Sequence, residues 1–459
     1  MAATINKHIV LHAHAIAWGH NKPSASLAVL IVESCPEMVV TFLTSASMLP
    51  RIMSELERRD PSHLAQAIRT RLHVLDISGA ILDPRLPLAG FELADADLQK
   101  GKAAFVVPPP FTVYAIEAIR VIAKGTPILA WWTAPARALL PLLGPSSIGG
   151  MANPSIETLD GRAAMKAKIF ARKEFEPYRC TGEALSTIPG LAPLFDYEWF
   201  PQMTPLSDLT PIIERIGCIY IRETDGLICT SSSAFEPRAI AAAHKWYASI
   251  GKEWFSLASL TKNIETSSTK NRVTAISDTI IEFLNRMQEN FGDLVWDNFL
   301  SSESRDWAVL EEPVDTKTPF FFAHPSPWIT LPSELTNITE SGCGMELTWS
   351  PQEIILSHPV TIWFITHGGW NSIQEALVYR IPLDNGVRLP YRYKDAPAPP
   401  CFTTEENKEE IRALFKRIKD EEGVVVRKNF CMLAESMGKA WDAEGPAKVD
   451  FNAFLQRYV

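Results

Sequence analysis

The chain has 459 residues, of which 46% are hydrophobic and 21% are charged. This composition is typical of a globular protein and excludes a disordered, collagen-like or coiled-coil chain. A length about three times that of an average domain predicts two or more domains. The net charge is −9 and no basic stripe interleaves with aromatic residues, which argues against a general nucleic-acid binder.

The cysteines and the apolar stretches exclude further classes of protein. The 7 cysteines are scattered without a CxxC spacing, so neither a disulfide framework nor a zinc ribbon is predicted. The most apolar stretch, residues 128–144, is interrupted by two prolines and an arginine, and a membrane helix needs about 20 apolar residues. The first residues are too polar for a secretory signal. We expect a cytoplasmic chain without a membrane span.

Strands and helices alternate along the first half of the chain. Apolar runs predict strands over 8–14, 39–45, 71–78, 103–108 and 126–133. Helical spacing is found between them, over 25–34, 53–59 and 114–125. This alternation predicts a parallel sheet with helices on both faces.

The second half repeats the pattern after a polar break. Residues 227–247 predict a strand, a turn and a helix, and the runs 319–324 and 360–367 predict further strands. The Ser/Thr-rich stretch 256–273 lacks periodicity and is interpreted as a linker. The predicted organisation is a first domain over 1–255, this linker, a second domain over 274–445 and a C-terminal helix over 446–459.

The segment 349–382 combines a buried strand, a tight turn and a helix. Gly368 and Gly369 allow a sharp turn and a close approach of the backbone to a ligand. The helix start offers N–H groups and a positive dipole end to an anion, and Asn371 and Ser372 add side-chain donors. His367 lies at the carboxyl end of the strand, where open α/β sheets bind ligands.

Two further residues of this segment suit a nucleotide. Glu375 lies one turn into the helix, where a carboxylate can accept hydrogen bonds from a vicinal diol such as a ribose. Trp349 offers an aromatic face on which a base can stack. A Gly-Gly turn beside a histidine is common in proteins. A nucleotide site is therefore indicated only by the whole set of residues and its spacing.

The set resembles the signature box of the family 1 UDP-dependent glycosyltransferases. That box reads W-x-P-Q, then H-P, then T-H-x-G-W-N-S, then E-A. The matching residues are Trp349, Pro351, Gln352, His358, Pro359, Thr366, His367, Gly369, Trp370, Asn371, Ser372, Glu375 and Ala376.

The resemblance implies a role for each matched position that binds the donor. Trp349 would stack on uracil, and Gln352 and Glu375 would hold the ribose hydroxyls. The diphosphate would be bound by His367, Asn371 and Ser372, with the backbone close at Gly369 and with Trp370 near the sugar.

A second resemblance lies near the N-terminus. The family carries a histidine general base in a G-H-x-x-P turn, which is matched here by Gly19, His20 and Pro23. Histidine suits this role because its pKa lies near neutrality, so it can take a proton from a hydroxyl. His12 and His14 are competitors inside the apolar strand, and His20 is the preferred candidate.

The resemblance implies a fold and an activity. The fold would be GT-B, with two Rossmann-like domains whose parallel sheets face each other across a cleft. The enzyme would move a hexose, most often glucose, from a UDP-sugar to a hydroxyl of a small lipophilic acceptor with inversion. Trp131 and Trp132 would contribute to acceptor specificity. We expect neither a metal nor a cofactor besides the donor.

Three departures from the family pattern support an alternative function. Prolines at 108–110 stand where the family has the Asp that orients its histidine. The acidic-Gln pair that binds the donor sugar is missing, with Asp384 as a candidate substitute. A strand ending in F-G-S is matched only by residues 291–293. The alternative is therefore a relative that binds UDP but turns over poorly or not at all.

Overall fold

The computed structural model describes residues 7–12, 18–58, 70–77, 105–107, 116, 119–121, 123–150, 188–191, 221–261, 275–292, 294–298, 308–323, 342–347, 350–366, 368–384 and 404–458. The chain forms two compact units. The N-terminal unit comprises Met1–Leu260 and Lys439–Val459, and the C-terminal unit comprises Thr261–Gly438.

The N-terminal unit is built on parallel strands. They are β1 (Lys7–His12), β2 (Met38–Thr44), β3 (Leu72–Asp76), β4 (Phe105–Val107), β5 (Leu129–Trp132), β6 (Gly226–Cys229) and β7 (Glu253–Ser256). Their order is β3-β2-β1-β4 and β5-β6-β7, and β4 lies beside β5. All of these pairings are parallel, which confirms the parallel sheet predicted from the alternation.

Both faces of this sheet are buried. Ile9 and Leu11 pack into one hydrophobic core, whereas Val10 between them packs into the other. The switch follows from the strand geometry, in which successive side chains point to opposite faces. The helices are α1 (Trp18–Ser34), α2 (Leu49–Arg58), α3 (Ala136–Leu143) and α4 (Pro237–Ser249). Within the helix predicted over 114–125, residues 116 and 119–121 are helical, and residues 114, 115, 117, 118 and 122 lie outside the described part of the chain.

The C-terminal unit has a second parallel sheet. Its elements are α5 (Ala275–Asn290), β8 (Leu294–Asn298), α6 (Ala308–Asp315), β9 (Phe320–Ala323), β10 (Gly344–Leu347), α7 (Gln352–Ser357), β11 (Thr361–Thr366), α8 (Trp370–Tyr379), β12 (Leu383–Asp384), α9 (Thr404–Lys419) and α10 (Glu421–Gly438). The strand order is β10-β9-β8-β11-β12, and each pairing is parallel. Phe364 faces one core of this unit, and its neighbours Trp363 and Ile365 face the other.

Strand β8 was not predicted, although it is the central strand of the second sheet. Its sequence, LVWDN, includes an Asp and an Asn, which hide it from a search for apolar runs. Phe291 and Gly292 precede β8, which puts them on the amino side of this strand. Their interpretation as the remnant of a strand-terminal F-G-S is therefore wrong.

The predicted linker begins inside the N-terminal core. Strand β7 ends at Ser256, and Leu257, Ala258 and Leu260 after it are buried. Residues 262–273, the rest of this stretch, lie outside the described part of the chain. The domain limits drawn from the sequence stay a prediction.

The last helix, α11 (Pro446–Tyr458), packs on the N-terminal unit against β7. Phe454 is fully buried, and its ring centroid lies 5.8 Å from that of Phe255. The Asp450 carboxylate accepts a hydrogen bond of 2.7 Å from the backbone N–H of Ser256. Burial raises the pKa of Asp450. The C-terminal residues therefore complete the fold of the N-terminal unit.

We expect Phe454→Ala to destabilise the N-terminal unit by about 3–5 kcal/mol, because it removes a fully buried aromatic ring. Denaturant unfolding monitored by Trp fluorescence measures the change. The exposed Gln456→Ala on the same helix is the control, with an effect within about 0.5 kcal/mol. Equal unfolding midpoints for the two variants would contradict this packing.

Candidate functional site

The turn between β11 and α8 has the backbone geometry that the glycines predicted. Strand β11 ends at Thr366, and Gly368 adopts a φ of 76°, a conformation that favours glycine. A Cβ on Gly368 would meet no atom within 4 Å, so the dihedral angle and not the available space favours glycine. Gly369 is the N-cap of α8 and has no side chain to fill the helix entrance.

The start of α8 presents backbone donors. The first amides of a helix, here those of Trp370, Asn371 and Ser372, have no carbonyl one turn earlier within the helix. The first intrahelical bond runs from Ile373 N–H to the carbonyl of Gly369, at 3.1 Å. Together with the helix dipole, these amides can hold an anion such as a diphosphate.

The candidate ribose ligands lie on two neighbouring helices. Gln352 is the first residue of α7 and is half-buried, and Glu375 in α8 is 3% exposed. Helices α7 and α8 pack against each other. Ser372 and Glu375 are three residues apart, which puts them on one face of α8. The structure therefore assembles these predicted residues around one helix pair.

Two residues predicted at this site lie outside the described part of the chain. They are Trp349, the candidate for stacking on the base, and His367, the candidate for binding the diphosphate. Their roles stay predictions.

His358 has a structural position in the segment. Its Nδ1 accepts a hydrogen bond of 3.3 Å from Val360 N–H, and its Nε2 lies 3.2 Å from the Asn285 side-chain oxygen. Burial lowers the pKa of His358, which favours the neutral ring. The ring thus ties the turn before β11 to α5.

The backbone of Asp384 lies at the relevant end of the second sheet. Asp384 pairs with Ile365 in strand β11, one residue before the strand end at Thr366. This register places Asp384 beside the start of the glycine turn. Its role as a substitute for the acidic-Gln pair stays a prediction.

His20 is the third residue of α1 and is half-buried. Its Nδ1 is hydrogen-bonded to the Thr133 hydroxyl, which follows strand β5 and is 6% exposed. His12, a competitor for the role of base, is half-buried at the end of β1, and His14 lies outside the described residues. Sequence reasoning missed Thr133 because 113 residues separate the two partners.

The segment that carries Thr133 is held by a buried carboxylate. Glu236 accepts hydrogen bonds from the N–H groups of Ala136 at 2.5 Å and Arg137 at 3.0 Å, the first residues of α3. Burial raises the pKa of Glu236, and the hydrogen bonds that it accepts oppose this effect. The guanidinium of Arg137 also lies over the Phe235 ring, 4.7 Å from its centroid.

The expectation that Trp131 and Trp132 contribute to the acceptor site is wrong. Trp131 is 1% exposed and Trp132 is 9% exposed, and they pack into the two cores on opposite faces of the sheet. Trp132 Nε1 donates to the carbonyl of Pro135 at 3.0 Å. Both indoles are core residues, because helices cover both faces of β5.

The described ranges contain no candidate metal centre and no candidate membrane span. No group of three or more His, Cys, Asp or Glu residues there could hold a metal ion. Within the same ranges, no helix has the length and apolar character needed to cross a bilayer.

Comparisons with known proteins agree on one family. The family model described as "UDP-glucoronosyl and UDP-glucosyl transferase" matches residues 329–391. UDP-glycosyltransferase eriJ of Hericium erinaceus is 24% identical over 99% of this chain and 99% of its own. Flavonol 3-O-glucosyltransferase F3GT2 of Actinidia chinensis var. chinensis is 28% identical over 25% of this chain and 27% of its own. Medicago truncatula UGT71G1, solved with UDP-glucose, has a TM-score of 0.72 over 100% of both chains at 15% identity.

Two units with parallel sheets, and a glycine turn that opens a helix in the second, are features of the GT-B fold. The glycine turn lies inside the segment that the family model matches, and the fungal relative aligns over almost the whole chain. The chain resembles the family 1 UDP-glycosyltransferases over the matched segment and, at 24% identity, over almost its whole length. The resemblance and the fold class predicted from the signature box are confirmed.

We expect Gly368→Ala to destabilise the C-terminal unit by about 1–2 kcal/mol, because an L-residue at a φ of 76° is strained. Denaturant unfolding gives the change in stability. Gly438→Ala is a matched control, since a Cβ there also meets no atom within 4 Å and the residue is helical. The control should be neutral or stabilising by up to about 1 kcal/mol. Equal effects at both positions would show that the turn tolerates other residues.

Proposed function

We propose that this UDP-glycosyltransferase transfers glucose from UDP-glucose to a hydroxyl of a small lipophilic acceptor with inversion. The observation that carries the proposal is the start of α8, where a glycine turn leads into three amides at the positive end of the helix. The solved relative from Medicago truncatula contains UDP-glucose, which supports this donor. The flavonol glucosyltransferase from Actinidia supports a small aromatic acceptor. A cytoplasmic location is proposed from the sequence alone.

The donor would be held by the residues around α8. The diphosphate would accept hydrogen bonds from the amides of Trp370, Asn371 and Ser372, and from the side chains of Asn371, Ser372 and His367. The ribose diol would donate to Glu375 and contact Gln352, on the packed helices α8 and α7. Trp349 would stack on the uracil.

His20 would act as the general base. In the tautomer whose Nδ1–H donates to the Thr133 hydroxyl, the lone pair of Nε2 would take the proton. In the proposed step, the acceptor O–H gives its proton to Nε2 while the acceptor oxygen forms a bond to the anomeric carbon. The bond from that carbon to the diphosphate oxygen breaks, and UDP leaves with the electron pair. The amides of α8 would stabilise the charge that develops on the diphosphate.

Calorimetric titration with UDP tests the donor site. We expect UDP to bind, and Asn371→Ala and His367→Ala each to weaken binding by about 10- to 100-fold, since hydrogen bonds to charged groups contribute about 1.5–3 kcal/mol. Asn429→Ala, an exposed residue of α10, is the matched control and should leave the affinity unchanged. UDP-glucose should bind more tightly than UDP. No binding of UDP to the native chain would overturn the proposal.

Transfer from UDP-glucose to a phenolic acceptor tests the base. We expect His20→Gln to lower kcat/KM by about 10²- to 10⁴-fold, the usual contribution of a general base, without a change in UDP affinity. His73→Gln, at an exposed histidine of β3, is the matched control. If native protein binds UDP but transfers glucose to none of a set of phenols, alcohols and carboxylic acids, the binding-only alternative holds.

A further inference from the structure

We propose that Thr133 is the positioning residue of His20, taking the place of the carboxylate for which the sequence has no counterpart at 108–110. The proposal rests on the proposed function, in that His20 must act as the base. Its basis is the hydrogen bond between His20 Nδ1 and Thr133 Oγ1, which joins the start of α1 to the end of β5. Thr133 belongs to neither matched motif.

The Thr133 hydroxyl occupies one of the two ring nitrogens of His20. An imidazole nitrogen makes one in-plane hydrogen bond, either as an N–H donor or through its lone pair. On Nδ1 that position is taken by the Thr133 hydroxyl. With Nδ1–H donating to this oxygen, the ring is held in the tautomer whose Nε2 lone pair accepts the acceptor's proton. The hydrogen bond thus fixes the orientation of the ring.

Thr133 itself is held rigidly by burial and by hydrogen bonds of its neighbours. Its β-branched side chain has few rotamers, and the residue is 6% exposed. On one side, the carbonyl of Trp132 accepts a hydrogen bond of 3.0 Å from Thr230 N–H. On the other side, the carbonyl of Ala134 accepts a bond of 3.4 Å from the Cys229 thiol, and Trp132 Nε1 closes a bond to Pro135 at 3.0 Å.

The buried Glu236 carboxylate fixes the chain directly after Thr133. Glu236, 6% exposed, binds the amides of Ala136 and Arg137 at the start of α3, directly after the segment that carries Thr133. Hydrogen bonds on both sides of Thr133 therefore join this segment to the end of β6, to Thr230 after it and to the N-cap of α4. The Thr133 hydroxyl is preorganised before substrate binds, as a positioning group must be.

A hydroxyl and a carboxylate bonded to Nδ1 have different effects on the pKa of the histidine ring. A carboxylate on Nδ1 favours the charged imidazolium and raises the pKa of the ring, whereas a hydroxyl carries no charge. The base must be neutral to accept a proton, so the acid limb of the kcat–pH profile reports this pKa. Replacing Thr133 by Asp should therefore move the acid limb to higher pH.

The test compares three variants in the full chain, using UDP-glucose and a phenolic acceptor. Thr133→Val keeps the shape and removes the hydrogen bond, so we expect kcat to fall by at least about tenfold with the KM for UDP-glucose unchanged. Thr133→Ser should restore most of the rate. Thr133→Asp should shift the acid limb upward by about one pH unit.

Thr41→Val is the matched control. Thr41 is 4% exposed, and its hydroxyl lies 2.7 Å from His8 Nε2, so this variant removes the same kind of buried Thr–His bond. Its effect should be limited to stability, with kcat and the pH profile unchanged.

The outcomes separate this inference from the proposed function. If His20→Gln is as active as the native enzyme, the proposed base is wrong. If His20→Gln is inactive but Thr133→Val keeps the native kcat, only the positioning role fails. A raised KM for UDP-glucose at an unchanged kcat would assign Thr133 to donor contact and overturn the inference. If Thr133→Val does not fold, the kcat–pH profile of Thr133→Asp is compared with that of the native enzyme. An acid limb at the native pH overturns the inference.

Discussion

The positions of the glycine turn before α8 and of Thr133 depend on one constraint, the parallel direction of strands that are buried on both faces. Parallel strands bring all their carboxyl ends to the same edge of a sheet, and the connections at that edge are the positions left for chemistry. In the C-terminal unit, β11 ends at Thr366 and its connection opens α8. In the N-terminal unit, β5 ends at Trp132 and its connection carries Thr133. Both candidate regions follow from this rule.

Buried polar groups stabilise these connections and give them a defined shape. Glu236 places a carboxylate in the protein interior, which is costly unless the charge is hydrogen-bonded. The two amides at the start of α3 supply those bonds, and the carboxylate complements the positive end of that helix. His358 acts similarly before β11, where a neutral ring bridges a turn and α5. His358 matches the family's signature box, yet its described contacts, like those of Glu236, are structural.

Much of the architecture could be predicted from local patterns. Apolar runs located most strands of the first sheet, and the Gly-Gly pair predicted the turn before α8, because only glycine readily adopts the φ found at Gly368. Strand β8 escaped prediction, since its Asp and Asn break the apolar pattern while its pairing on both sides makes it central. Trp131 and Trp132 were assigned to the acceptor site because composition does not show which side of a strand is covered.

The sequence by itself determined the family resemblance, the alternating elements and the glycine turn before α8, since each depends on residues close together in the chain. The tertiary structure decided which distant residues meet. His20 and Thr133 are separated by 113 residues, and the Asp450 carboxylate reaches Ser256 across 194 residues. These contacts arise from the order of the strands and the return of the last helix. No local pattern encodes that order, because it is set by how the two faces of each sheet are buried.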